Sequence, residues 1–237
     1  MPNSYFQFKQ FIVRQERAAM KVSTDACLFG AWLARQSPSC SRVLDIGGGT
    51  GLLSLMFAQQ HPEASIEAIE IDPAAALQAA ENFTASPWSM RLSIHTGPVQ
   101  QFKPAGKYGL VFSNPPFFEN HLRSPLMAKN NARHNTTLSL EELSRIVPPL
   151  LTEEGRFAVL LPFESAERFI RLLELQGVYA GKVLQVKQSS QHTRFRSLIY
   201  FSKTVAECGE EEITIKGTDN NYSPAFTDLL KDYYLYL

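Results

Sequence analysis

The sequence has little of what would place a chain outside a reducing, aqueous compartment. Its three cysteines, Cys27, Cys40 and Cys208, are odd in number and show no CxxC spacing, which argues against a disulfide framework or a cysteine zinc site. No stretch of about 18 consecutive apolar residues occurs, so no membrane span is expected. Residues 1–10 show neither the apolar run of a signal peptide nor the arginine pattern of a transit helix. Gly-Lys-Ser/Thr is absent, which removes the phosphate-loop triphosphatases. The five histidines (61, 95, 121, 134 and 192) have no ligand spacing such as HExxH, so no metal is expected. Net charge is missing as well: 23 Lys and Arg balance 23 Asp and Glu, so no global field draws in a polyanion. These absences predict a soluble cytoplasmic protein.

What is present is apolar and ordered. With 44% hydrophobic residues in 237, the chain can bury a sizeable core. It reads as one domain, 1–237, with an N-terminal capping segment 1–40, a core 41–203 and a C-terminal extension 204–237. From residue 43 onward, apolar runs of strand length alternate with helix-period segments, the pattern of a mostly parallel sheet with helical crossovers. Seven strands are predicted, at 43–46, 65–71, 92–96, 109–113, 156–161, 178–188 and 196–202, the last two forming an antiparallel edge. Pro73 opens a helix through Ala85, and Glu164–Gln176 is an amphipathic helix ending at Gly177. Ser139 and Glu142 form a capping box for a helix that must kink or stop near Pro148 and Pro149. The segment 117–138 has no clear period and reads as a functional loop.

Two constellations carry chemistry. The first is Val43-Leu44-Asp45-Ile46-Gly47-Gly48-Gly49-Thr50-Gly51, a strand running through a glycine-dense turn into a helix. Glycines there let the backbone approach a nucleoside, and Glu70, 19 residues after Gly51, ends the next strand where a carboxylate can accept ribose hydroxyls. A dinucleotide turn would place Gly or Ala where Leu52 stands. The arrangement D-x-G-x-G-x-G instead resembles motif I of the class I methyltransferases that bind S-adenosyl-L-methionine. That resemblance implies a Rossmann-like α/β fold with helices on both faces. It also implies a cofactor cradled by Gly47, Gly49 and Gly51, with Asp45 toward the methionyl ammonium and Glu70 on the ribose. Val99 falls in Gly97-Pro98-Val99, where the family often has an acidic residue near the adenine; here apolar and backbone contacts take its place.

The second constellation is Asn114-Pro115-Pro116-Phe117 at the end of the fourth predicted strand. In isolation it is a rigid turn. At the carboxyl end of a strand in such a sheet, it sits where α/β enzymes keep their active sites. It resembles the [D/N/S]-P-P-[Y/F/W] motif of amino-methyltransferases acting on adenine N6, cytosine N4 or glutamine N5. An exocyclic nitrogen conjugated to a π-system is a poor nucleophile until acceptors draw on its hydrogens. The Asn114 side-chain oxygen and the Pro115 carbonyl supply two such acceptors, and Phe117 supplies a stacking face.

Charge is polarised along the chain. Residues 1–21 carry Lys9, Arg14, Arg17 and Lys21 against Glu16, net +3, interleaved with Tyr5, Phe6, Phe8 and Phe11, which fits a nucleic-acid arm. Residues 178–203 are net +5 and residues 205–237 net −5. Phe6-Gln7-Phe8-Lys9-Gln10-Phe11, Met20-Lys21-Val22-Ser23-Thr24-Asp25, Ala132-Arg133-His134 and the tail Leu229–Leu235, with the motifs above, resemble one bacterial family, the tRNA1(Val) adenine-37 N6-methyltransferases, nearly end to end. The resemblance implies a monomeric enzyme that uses S-adenosyl-L-methionine and acts on tRNA, with Lys21, Ser23 and Thr24 near the methionyl end. Arg133, His134, Arg194 and Arg196 are candidate contacts to RNA phosphates. Methylation of a protein glutamine, a non-catalytic RNA- or cofactor-binding module and an NAD oxidoreductase stay open as alternatives.

Overall fold

A computed structural model describes residues 3–116 and 138–237. An antiparallel hairpin, β1 (Tyr5–Gln7) and β2 (Ile12–Arg14), leads through a strap to α1 (Thr24–Gln36). There follow β3 (Arg42–Ile46), α2 (Leu52–Gln60), β4 (Ser65–Glu70), α3 (Pro73–Thr84), β5 (Leu92–Thr96) and β6 (Tyr108–Ser113). The second half holds α4 (Leu140–Leu150), β7 (Leu151–Pro162), α5 (Phe163–Glu174), β8 (Tyr179–Ser189), β9 (Arg194–Ser202), β10 (Gly209–Lys216) and α6 (Pro224–Leu230). The large sheet has the order β10-β8-β9-β7-β6-β3-β4-β5.

Both faces of this sheet are covered, so its central strands are apolar on successive residues. Along β7, Ala158 and Leu160 join the core beneath α1, α2 and α6, while Phe157, Val159 and Leu161 join the core beneath α4 and α5. From β3 the chain runs outward through β4 to β5 on one side, then returns to place β6 and β7 on the other. The boundary between β3 and β6 is therefore a topological switch point, where the following loops diverge and leave a crevice at the carboxyl ends.

Two expectations about the sheet are corrected. Among the described residues it has eight strands, and its antiparallel strand is not at an edge: β9 lies inside, antiparallel to both β7 and β8. The eighth strand, β10, pairs parallel to β8 and forms the edge. Its sequence, Gly-Glu-Glu-Glu-Ile-Thr-Ile-Lys, hides the strand because three successive glutamates break the alternation. Those acids add ion pairs to the backbone ladder with β8. Lys182 meets Glu211 at 2.8 Å, Lys187 meets Glu212 at 2.9 Å, and Arg194 meets both Glu210 and Glu212 at 2.8 and 2.9 Å. Three of the five cations of the +5 segment thus meet Glu210, Glu211 and Glu212 of the −5 segment across neighbouring strands, while Arg196 and Lys203 pair with Asp25 and Glu153.

Two of the N-terminal aromatics are likewise core and not an exposed arm. Phe8 and Phe11 are 2% and 6% exposed, stack on each other at 4.5 Å, and continue to Tyr234 and Trp88 respectively. The alternation along the hairpin explains this: Phe8, Phe11 and Val13 face inward, whereas Tyr5, Ile12 and Arg14 face solvent. Helix α4 carries the capping box in full, with Ser139 Oγ accepting from Glu142 N–H and Glu142 accepting from Ser139 N–H. It ends at Leu150, directly after Pro148 and Pro149. Gly177, at φ +72°, turns the chain beyond α5.

The buried hairpin leads to a stability prediction. Phe8→Ala is expected to lower unfolding free energy by about 3–5 kcal/mol, as for other fully buried phenylalanines. Urea unfolding checks it, and a loss below about 1 kcal/mol would mean that the hairpin is not part of the cooperative core.

Candidate active site

A cleft opens at the switch point. Its floor is Ile46, Gly47 and Gly49 from the end of β3 and Ser113, Asn114 and Pro115 from the end of β6; Glu70, Pro98 and Val99 form one wall, and Ala18, Ala19 and Met20 of the strap another. The two strand ends are locked together, because Ile46 pairs with Ser113 and Ser113 Oγ donates to the Ile46 carbonyl at 2.7 Å. Gly47 and Asn114, the next residues on each strand, are therefore neighbours.

The glycine turn is built by backbone geometry. Gly47, Gly49 and Gly51 have φ of +80°, +54° and +80°, a region that side-chain-bearing residues rarely adopt. Gly51 is further constrained: a Cβ there would come within 2.4 Å of the Phe83 ring. Gly47 and Gly49 line the cleft, while Gly51 caps α2 behind them. Glu70 Oε2 accepts from Gly49 N–H at 2.8 Å and Oε1 from Asp72 N–H at 2.9 Å. Each oxygen keeps a further lone pair for a ligand hydroxyl.

Asp45 lies beneath the turn, 1% exposed. Ser54 Oγ donates to its Oδ2 at 2.7 Å, but Oδ1 is buried with no hydrogen-bond partner among the described residues. Burial pushes the carboxyl up from 3.8 to about 7; the Ser54 hydrogen bond partly offsets this, and the nearby Glu70 charge adds to it. Asn114 Oδ1 is a second buried acceptor with no partner among the described residues. An unpaired buried acceptor is costly, so two beside one cleft mark places where a ligand's donors complete the structure. The donor set suits S-adenosyl-L-methionine: a cationic amine has Asp45, a ribose has Glu70, and an adenine has an apolar slot at Ile71, Pro98 and Val99. Among the described residues, no group of three or more His, Cys, Asp or Glu is placed to hold a metal ion, and no helix is long and apolar enough to cross a membrane.

The cleft thus brings together Gly47, Gly49, Glu70, Val99, Asn114 and Pro115, with Asp45 and Gly51 directly behind. Lys21, Ser23 and Thr24 do not line it. Lys21 is exposed, Ser23 caps α1 by accepting from Ala26 N–H, and Ala18–Met20 hold the wall instead. Small alanines give no sequence signal of such a role. Arg194 is held between Glu210 and Glu212, and Arg196 meets Asp25 at 2.9 Å, so both charges are compensated within the protein. Phe117, Arg133 and His134 lie outside the described residues.

A methyltransferase small-domain family model matches residues 27–136. The tRNA1(Val) (adenine(37)-N6)-methyltransferase of Cronobacter sakazakii is 40% identical over 235 residues, 98% of this chain and 95% of that protein. A predicted O-methyltransferase from Agrobacterium tumefaciens shares the fold at a TM-score of 0.68 and 16% identity, over 88% of this chain and 96% of that one. The glycopeptide N-methyltransferase MtfA, solved with S-adenosyl-L-methionine, gives a TM-score of 0.57 at 12% identity, over 76% of this chain and 87% of that one. Sheet order, glycine turn and switch-point cleft define a class I methyltransferase. Within that class, the chain belongs to the tRNA1(Val) (adenine(37)-N6)-methyltransferase family.

The raised Asp45 pKa has a definite sign. Between about pH 4 and 7 the folded protein holds a proton that the unfolded chain releases, so this contribution to stability falls as pH rises through that window. Asp45→Asn removes the titration. In urea unfolding of the ligand-free protein, the wild type is expected to lose about 2 kcal/mol more than the variant between pH 5 and 7.5. Parallel pH profiles for the two proteins would contradict the assignment.

Proposed function

We propose that the chain transfers the methyl group of S-adenosyl-L-methionine to the exocyclic N6 of adenine 37 in tRNA1(Val). The observation that carries the reading is Asn114 Oδ1, a buried acceptor without a partner among the described residues, at the strand end adjoining the glycine turn. The names of the relatives supply the acceptor, and the solved glycopeptide N-methyltransferase with bound S-adenosyl-L-methionine supports the cofactor.

In this reading the cofactor supplies an electrophilic methyl on a sulfonium, and the protein does the rest by placement. Gly47 and Gly49 let the backbone close on it, Asp45 compensates its ammonium, and Glu70 takes the ribose hydroxyls. Asn114 Oδ1 and the Pro115 carbonyl accept the two N6 hydrogens. That favours a pyramidal nitrogen whose lone pair is free to attack, while the prolines fix the carbonyl direction. Phe117 follows Pro116 in sequence and is assigned to stacking on the adenine. As the S–CH3 bond breaks and the N6–CH3 bond forms, Asn114 and Pro115 would hold the N6 hydrogens until the surplus proton passes to solvent, so that placement, not a strong base, is what these residues supply.

An anticodon loop suits a shallow cleft, since a base already in single strand is extruded cheaply. With Arg194 and Arg196 compensated, Arg133 and His134 are the remaining candidates for phosphate contacts among those four. The reading entails a cytoplasmic enzyme whose partner is tRNA and which works as a monomer, with residues 1–237 acting as one unit.

The test is kinetic. Asn114→Ala is expected to lower kcat on tRNA by about 10²–10³, as for loss of one preorganised hydrogen-bonding group. Its affinity for S-adenosylhomocysteine, measured by calorimetry, is expected to stay unchanged. Undiminished turnover would remove Asn114 from the mechanism, and transfer to a release-factor glutamine with none to tRNA would replace the acceptor.

A further inference from the structure

The strap that walls the cleft is tied to the rest of the molecule by buried amides, not only by apolar packing. Gln78 and Asn82 lie one turn apart on the inner face of α3, 1% and 2% exposed in a helix otherwise buried through alanines and Phe83. Asn82 Oδ1 accepts from Arg14 N–H at 2.9 Å. Its Nδ2 donates to the Arg14 carbonyl at 2.9 Å and to the Thr50 carbonyl at 2.8 Å. One side chain thus grips both backbone groups at the start of the strap and one carbonyl inside the glycine turn.

The neighbouring contacts reinforce this grip. Phe83 packs against Gly51, so residues 82 and 83 hold the turn at two adjacent positions. Farther along the strap, Gln78 Oε1 accepts from Arg17 N–H at 3.3 Å, and Arg17 pairs with Glu81. Buried Gln15 accepts from Val22 N–H at 2.8 Å, closing the strap on itself around Ala18–Met20. The strap is one wall and the glycine turn part of the floor of the cleft that a nucleoside would touch, and α3 bonds to both.

We propose that Asn82 is a positioning residue that couples the glycine turn to the strap, so that a nucleoside held by the turn also fixes residues 14–20 over it. The proposal rests on the S-adenosyl-L-methionine reading above. Asn82 touches no reacting atom. It acts through the Thr50 carbonyl and the Arg14 backbone, the groups its side chain bonds.

Backbone amide exchange and calorimetry with S-adenosylhomocysteine test it. In the wild type, the ligand is expected to slow exchange at residues 14–20 together with residues 47–51, by about tenfold or more. In Asn82→Ala, protection is expected to persist at 47–51 and disappear at 14–20. The dissociation constant and the cofactor KM are expected to rise about tenfold, within the usual range of coupling between sites. At saturating cofactor, kcat is expected to stay within about twofold of wild type, a split that general destabilisation would not give.

Wild-type affinity in Asn82→Ala, or ligand protection of 14–20 that survives the substitution, overturns the coupling. Should that variant fail to fold, Gln78→Ala releases the Arg17 N–H without touching Thr50. It is expected to lose protection at 17–20 while Arg14, still held by Asn82, keeps it; loss of ligand protection at Arg14 as well, or ligand protection at 47–51 in the wild type without any at 14–20, overturns the proposal. No binding of S-adenosylhomocysteine to the wild type overturns the cofactor reading itself, and the coupling with it.

Discussion

The pairing of Ile46 with Ser113 is the constraint on which the site depends. Those residues end β3 and β6, strands separated by two helices and two further strands in sequence yet adjacent in the sheet. The Ser113 hydroxyl, buried and donating to the Ile46 carbonyl, removes any slack between them. The glycine turn and the Asn-Pro-Pro turn consequently begin side by side. A one-residue slip in this register would turn the side chains of one strand to the opposite face.

A second consequence of that adjacency is electrostatic. The fold leaves Asp45 Oδ1 and Asn114 Oδ1 buried without partners among the described residues, each a cost to the ligand-free protein. Neither atom is rescued by a donor among the described residues, although Ser54 serves the other Asp45 oxygen. A carboxyl so placed favours its neutral form until a cation arrives, and an amide oxygen so placed awaits an N–H. In the proposed reading, stability surrendered at these two atoms is preorganisation for a cationic cofactor and an amine acceptor.

How much of this was legible in the sequence follows the range of each interaction. The glycine turn, Glu70 at a strand end, the Ser139–Glu142 capping box and the turn at Gly177 are local, and each has the predicted place. Strand β10 was not legible, because its backbone partner β8 and the cations that meet its glutamates, Lys182, Lys187 and Arg194, come from other strands. The same pairing makes summed segment charge a poor guide to an RNA surface. The phenylalanines at 8 and 11 read as part of a nucleic-acid arm, because the partners that make them core, Tyr234 and Trp88, lie far away in sequence. Gln78 and Asn82 carry no local signal at all, since only a fold that buries the inner face of α3 turns two ordinary polar residues into the bracket between strap and turn.

The molecule thus combines a sheet that fixes two strand ends, a helix that holds the cofactor turn and the strap, and a charge ladder that closes its far edge. Methyl transfer to tRNA1(Val) transcripts with adenine or guanine at position 37, using labelled S-adenosyl-L-methionine followed by nucleoside digestion, tests the assignment most directly. Label in N6-methyladenosine from the adenine transcript and none from the guanine transcript is the predicted result. Equal labelling of both transcripts, or no labelling of either while S-adenosylhomocysteine binds, would contradict it.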